Sequence, residues 1–142
     1  MRRGERTRVL IDGDPDLRRQ LANEVRAAYE VEVLQPPRRG LVMVPLRETA
    51  RRARFYLGEV LVSEARVRLA GAFGLGLLVG DDAEAALDLA TVDAAWSAGV
   101  PESRAWHERL RQEARRLSRQ RAGEEERLLR TRVAFETMES DL

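Results

Sequence analysis

The stretch Glu59-Val60-Leu61-Val62-Ser63-Glu64-Ala65-Arg66-Val67-Arg68-Leu69 alternates with a period of two. Val60, Val62, Glu64, Arg66 and Arg68 fall on one face of a strand; Glu59, Leu61, Ser63, Ala65, Val67 and Leu69 fall on the other. The same period extends outward in both directions. Val31 and Val33 alternate with Glu30 and Glu32 until Pro36-Pro37, which is expected to stop that strand. Leu41 to Leu46 forms another run, and Pro45 assigns it to an edge or a bulge. Thr49-Ala50-Arg51-Arg52 reads as a polar connection. Arg54 to Leu57 follows, divided from the long strand by Gly58, a bulge signal. Gly71 to Gly76 reads as a turn, and Leu77-Leu78-Val79 as the last strand. Short connections between successive strands predict an antiparallel meander of four to five strands.

Helical patterns flank the meander. Asp14-Pro15 is an N-cap followed by Pro at the first helical position, and Leu17, Leu21, Val25 and Ala28 follow at helical spacing. A short helix around Thr7 to Ile11, ending at Gly13, is expected before it. After the sheet, Asp81 or Asp82 caps an alanine-rich helix from Ala83 to Ala98. There Leu87, Ala90 or Thr91, and Ala94 make a stripe, and Gly99-Val100-Pro101 closes it. A last helix starts near Glu102 and carries Trp106, Leu110, Ala114 and Leu117. Its apolar pattern fades over Arg119 to Glu126, where Gly123 interrupts, and recovers at Leu128, Leu129 and Val133. With no repeat or linker, residues 1–142 read as one α+β domain, an antiparallel sheet between N-terminal and C-terminal helices.

Composition removes several chemistries. The 142 residues hold 25 basic and 24 acidic side chains, a net charge of +1. Every basic residue is arginine, so Schiff-base and P-loop lysine chemistry is excluded. The absence of cysteine excludes disulfides, thiolate nucleophiles, iron–sulfur clusters and Cys-type zinc sites. One histidine, His107, cannot make a His-rich metal site, and it reads as a surface or interface residue. No metal is expected. No apolar run approaches the ~20 residues of a membrane span, and no secretory h-region is seen, so a cytoplasmic protein is expected. Arginines interleaved with nearly equal acid, without aromatic stacking positions, argue against nucleic acid. The mixed charge of Arg104 to Arg132 has the look of a solvated helix face, or of one laid against another subunit.

Three features invite a functional reading. Glu59 and Glu64 are the weak candidates for catalytic carboxylates. Five residues apart, they point to opposite faces unless a bulge near Gly58 intervenes, and Glu64 shares its face with Arg66 and Arg68, as in a solvated charge ladder. Glu59 is a lone carboxylate among Leu61, Ala65, Val67 and Leu69, expected to meet an arginine or an interface partner. Gly71-Ala72-Phe73-Gly74-Leu75-Gly76 lacks a Lys-Ser/Thr ending and precedes a strand, so a hairpin turn is favoured over a phosphate loop. Gly80-Asp81-Asp82 precedes a helix, but its aspartates favour N-capping over anion binding.

The segments Gly40-Leu41-Val42-Met43-Val44 and Phe55-Tyr56-Leu57-Gly58-Glu59-Val60-Leu61-Val62-Ser63-Glu64-Ala65-Arg66-Val67 resemble the PhnG family. Members of that family are subunits of the bacterial carbon–phosphorus lyase core complex. The resemblance continues through Gly74 and Gly76, Leu78-Val79-Gly80-Asp81-Asp82, Ala90-Thr91-Val92-Asp93-Ala94 and Thr131 to Met138, so it spans about Arg6 to Met138. It implies an accessory role in phosphonate breakdown. The complex exchanges the adenine of ATP for a phosphonate at ribose C1 (ribose 1-methylphosphonate 5-triphosphate synthase activity). It implies PhnI as main partner and carrier of the glycosyl transfer, with PhnH and PhnJ in the core complex and the ATPase-like PhnL needed functionally. PhnJ performs the later radical cleavage. ATP and phosphonate are then substrates of the complex, no cofactor is bound by this chain, and the chain is not expected to be catalytic alone. A homo-oligomer in isolation is expected, because an apolar sheet face with few aromatics seeks cover. The alternatives are a self-associating structural domain and a weak nucleotide-binding protein.

This chain departs from the family pattern at three places. Ser63 stands where Thr is usual, Leu75 lies where an aromatic is common, and the end runs Phe135-Glu136-Thr137-Met138-Glu139-Ser140-Asp141-Leu142 without the usual arginine. From the matching block, Glu59, Glu64 and Arg66 carry over as site candidates, with Arg54 nearby. Arg54 and Arg66 would bind an anionic ligand or a partner carboxylate.

Overall fold

Two helices, α1 (Arg3–Asp12) and α2 (Pro15–Ala28), open the chain. The computed structural model describes residues 1–47 and 54–140, with side chains over 1–45 and 58–133, so the connection expected at Thr49-Ala50-Arg51-Arg52 lies outside the described residues. α1 starts at Arg3 instead of Thr7; the Glu5 carboxylate accepts the Arg2 backbone N–H at 3.0 Å and satisfies an N-terminal donor. α2 starts where Asp14-Pro15 predicts, with the Asp14 carboxylate accepting from the Asp16 N–H at 2.9 Å. Its stripe turns inward at Leu21 and Val25, both fully buried, while Ala28 is exposed. Arg18 is buried beside them and donates to the Leu10 carbonyl at 3.0 Å, satisfying an acceptor in the last turn of α1.

The sheet has three antiparallel strands in the order β1-β2-β3: β1 (Glu32–Arg47), β2 (Arg54–Leu69) and β3 (Ala72–Val79). The α+β class holds, and the expected four to five strands are three. Pro36-Pro37 does not stop β1, because β1 is an edge strand and its outer side needs no donor. Register irregularities between Val33 and Arg38 absorb the two prolines. Gly58, at φ 149°, stands beside a further irregularity at Val44/Pro45, so β2 continues through it. The β2–β3 turn is only Ala70-Gly71, both with positive φ as a type I′ hairpin requires. Gly74 and Gly76 therefore belong to β3, not to a glycine-rich turn.

Their inner face meets α3 (Ala83–Ala98). A Cβ on Gly76 would lie 1.9 Å from the Ala86 carbonyl oxygen, and one on Gly74 would lie 2.1 Å from that of Ala90. Backbone thus packs directly on backbone. Asp82 caps α3 by accepting from the Ala85 N–H, and left-handed Gly99 ends it, with Val100 buried just beyond. α3 is buried on nearly all sides, between β2 and β3 below and α1 and α2 around it.

Two buried carboxylates of α3 receive arginines from the N-terminal helices. Asp88 accepts from Arg19 Nε at 2.8 Å and Arg26 Nη2 at 2.7 Å. Asp93 accepts a two-pronged contact from Arg3 at 3.0 and 2.6 Å, and its Oδ2 also takes the Leu75 N–H at 3.0 Å. The long α4 (Glu102–Ser140) closes the core with Trp106, Leu110 and Leu117, and runs on through Gly123 as one helix. The Trp106 indole donates to Glu24 at 2.9 Å, and Arg109 reaches the same carboxylate at 2.6 Å. His107 is half-buried, set edge-on to Trp96 at 5.0 Å, while the Arg6 guanidinium lies over the Trp96 ring at 4.1 Å.

Gly76→Ala is expected to cost more than the ~1–3 kcal/mol typical of overpacking, because the obstacle is backbone, and the melting temperature should fall accordingly. Gly123→Ala, with nothing within 4 Å of the added methyl, should stabilise by about 0.5–1 kcal/mol through helix propensity. Thermal unfolding of both variants checks this pair. Burial pushes the Glu24 carboxyl up, but the Arg109 and Trp106 hydrogen bonds outweigh it, leaving its pKa below the ordinary 4.5. A depressed folded pKa means stability present above the ordinary value and lost as pH falls through the folded one. Glu24→Gln should therefore be less stable than the parent at neutral pH, by no more than about 1 kcal/mol since the pair is solvent-screened. In acid denaturation series that gap should close below pH 4.5.

Candidate partner interface

Because glycines occupy two inner positions of β3, most of its large side chains point outward, and Leu78 alone among them packs toward the core. Phe73 is 64% exposed and Val79 72%, with Leu75 and Leu77 exposed between them. Register sets the rest of this face. Leu77 lies beside Glu64 and then Arg38, and Val79 beside Val62 and then Gly40. Charged residues fill the other end of the face. Glu64, half-buried, is approached by Arg38 at 3.4 Å and Arg66 at 3.3 Å, and Arg68 pairs with Glu32. The two Glu64 contacts are long, the Arg68–Glu32 pair is exposed on both sides, and such contacts are weak enough to be exchanged for partner groups.

Beyond Val62 β3 has ended, and β1 and β2 continue alone as a two-stranded ribbon. On it Leu41 and Met43 are more than half exposed, with Val42 and Leu61 exposed as well. Facing pairs such as Leu41 with Leu61 and Val42 with Val60 line opposite sides of the ribbon, so both sides are apolar. An isolated two-stranded hairpin is marginal in water. Contiguous apolar exposure of this kind marks an interaction surface.

The sequence-derived candidates separate in space. Glu64 and Arg66 meet on the outer sheet face, and Arg38, which the residue pattern did not single out, joins them. Glu59 is exposed on the ribbon opposite Met43, about 17 Å along the strand from Glu64. Its face is apolar, as read from the sequence, but α3 does not reach that far, so the carboxylate is not buried against the core. Arg54 opens β2 opposite Arg47, and its side chain lies outside the described residues. The structure therefore brings together a carboxylate and two guanidinium groups, not two carboxylates.

Two depressions border this face. An open groove of about 600 Å³ is lined by Arg3, Leu34, Gln35, Arg66, Phe73 and Leu75, among others. Gln35 buries its amide nitrogen without an acceptor. A second, of about 330 Å³, lies where α3 begins, between Arg38, Arg39, Ser63 and Asp81. There the fully buried Ser63 hydroxyl donates to the Gly80 carbonyl at 2.7 Å and accepts from the Asp82 N–H at 2.9 Å. Ser63 thus ties β2 to the turn that starts α3. Residue pattern alone does not reveal that role, whose only signal is a hydroxyl on an otherwise apolar strand face. Among the described residues there is no group of three or more His, Asp or Glu able to hold a metal, and no helix long and apolar enough to cross a membrane.

Ser63→Ala strands one buried acceptor and one buried donor, so it should cost about 1–3 kcal/mol. Denaturant unfolding measures this, and a loss near zero would mean that water replaces the hydroxyl.

The family model described as phosphonate metabolism protein PhnG matches residues 1–140. No curated protein matches the chain.

Proposed function

Since this chain belongs to the PhnG family of phosphonate metabolism proteins, we propose that it is an accessory subunit of the carbon–phosphorus lyase machinery. In this reading it acts with PhnI, its main partner, in the cytoplasm. The reaction is the transfer of a phosphonate onto ribose C1 of ATP. The C1–N bond to adenine breaks, a new bond from C1 to the phosphonate forms, and adenine leaves with the bonding pair. PhnI would carry that step, with PhnH and PhnJ in the same assembly and PhnL required alongside.

The observation that carries the reading is the exposed apolar strip from Phe73 through Val79, continued on the same face by Val42 and Val60 of the ribbon, whose other side exposes Leu41, Met43 and Leu61. A surface of that kind gains most by being covered. Phe73, at the end of the strip, is the type of aromatic anchor that dominates binding energy. Arg66 and Arg38 border the apolar rows and would exchange Glu64 for carboxylates of the partner, or for an anionic substrate group at a shared edge. Glu59 and Arg54, on the ribbon, would act as partner contacts.

Coexpression with the cognate PhnI should give a stable heteromer, with PhnI insoluble or inactive when made alone. Phe73→Ser combined with Leu77→Ser should weaken that complex by about a hundredfold or more, on the scale of two anchor residues at ~2 kcal/mol each. The isolated variant should keep its melting temperature, because both side chains are exposed. A homo-oligomer that ignores PhnI would replace this reading with that of a self-associating structural domain, and saturable ATP binding by the isolated chain, through the groove beside Arg3 and Arg66, with that of a nucleotide-binding protein.

A further inference from the structure

Hydrogen bonding fixes which groups of β3 face its free edge. The strand pairs with β2 on one side only. In an antiparallel ladder every second residue exchanges hydrogen bonds with the neighbouring strand. The Gly80 N–H donates to the Leu61 carbonyl at 2.8 Å in continuation of the β2–β3 register, so the even-numbered residues of β3 bond to β2. Phe73, Leu75, Leu77 and Val79 therefore turn their N–H and C=O groups away from β2, toward the edge.

The two edges of the sheet are unlike. β1 carries Pro36, Pro37 and Pro45 with Arg38 and Arg39, residue types that discourage a further strand. β3 has neither proline nor charge between Ala72 and Val79. An apolar, uncharged strand with an open row of donors and acceptors is a template for pairing. One donor of that row is occupied. α3 packs on the backbone at Gly74, and from there Asp93 reaches the edge and accepts the Leu75 N–H at 3.0 Å. Its oxygen stands where the carbonyl of an added strand would lie. Arg3 grips the same carboxylate from outside with its two-pronged contact, its side chain 63% exposed against 8% for Asp93.

The position of this block matters. A second copy would add its own β3 antiparallel about a two-fold axis, with hydrogen-bonded pairs drawn from residues 73, 75, 77 and 79 of each chain. Only the registers centred on residue 75, 76 or 77 form three or more such pairs, and each of them uses both Leu75 and Leu77. Occupying the Leu75 donor thus obstructs every extended pairing of β3 with itself.

We propose that Asp93 guards the β3 edge against strand addition by a second copy, and that Arg3 is the positioning residue that keeps the guard in place. The proposal does not rest on the phosphonate reading, and it leaves the outer face of the sheet free to meet a partner. Asp93→Ala frees the Leu75 N–H, and Arg3→Ala, at an exposed position, releases the carboxylate with little loss of packing. In sedimentation of the isolated full chains, each variant should show about double the weight-average mass of wild type at the same concentration. Leu77→Pro removes the other shared edge donor without touching the β2 ladder. Added to either alanine variant, it should restore the wild-type mass, a rescue that general destabilisation would not give. A folded alanine variant that keeps the wild-type mass would overturn the proposal. So would a larger species that survives Leu77→Pro, because its contact would lie elsewhere. A wild-type mass that falls on Leu77→Pro alone would also sink it, since the edge would already be paired. If the loss of buried Asp93 prevents folding, Arg3→Ala decides alone.

Discussion

Backbone contact between α3 and β3 is the constraint on which the rest of the structure depends. At Gly74 and Gly76 the strand offers no side chain, and the helix answers with Ala86, Ala90 and Ala94, so the two elements approach until backbone atoms touch. This close approach has a consequence on the other side of the sheet. A strand with only glycine at two of its inward positions must carry its apolar bulk outward, and β3 does so with Phe73, Leu75, Leu77 and Val79. The tight interior and the exposed apolar strip are two faces of one packing decision.

Arginine holds the helices around that contact. Asp88 and Asp93 lie on a buried helix, where an unpaired carboxylate would be costly, and each is matched by guanidinium groups from α1 or α2. The planar fork of arginine suits this task better than a lysine ammonium, as the two-pronged Arg3–Asp93 contact illustrates. Asp93 also takes the N–H of Leu75. On an edge strand that group would otherwise be open to pairing with another chain, so the carboxylate closes one point of the free edge. Glu24 serves the other side of the core, joining α2 to Trp106 and Arg109 of α4.

What extends from this core has little packing of its own. The β1–β2 ribbon outruns β3, and α4 outruns the helices that cover its first half. Among the described residues neither extension adds a side chain to the core, and both present apolar side chains to solvent. Exposure at two places so far apart suits a subunit that works by contact with other chains, the role proposed for this member of the PhnG family. The charges on the two extensions differ in kind. On the sheet they are a small cluster around Glu64, and on α4 they are long blocks of alternating sign.

The sequence by itself determined what depends on neighbouring residues and on family pattern. Asp14-Pro15 and Asp82 mark helix starts, Gly99-Val100 marks an end, and the alternation from Glu59 to Leu69 marks a strand, because capping and side-chain period act within a few residues. The same parity keeps Glu59 and Glu64 apart and puts Glu64 with Arg66. The PhnG resemblance was likewise legible along nearly the whole chain. Tertiary structure decided what local signals cannot. Pro36-Pro37 reads as a break, yet β1 runs through it, since an edge position and register irregularities remove the need for the missing donors, and the bulge that Gly58 signals lies within one continuous β2. Gly74 and Gly76 read as a turn, yet they are contact points for a helix that begins several residues later. The partners of Arg3, Ser63 and Arg38 were hidden for the same reason. Each is brought close by the register of the sheet or the placement of α3, and no spacing along the chain encodes a contact between segments that meet only after folding.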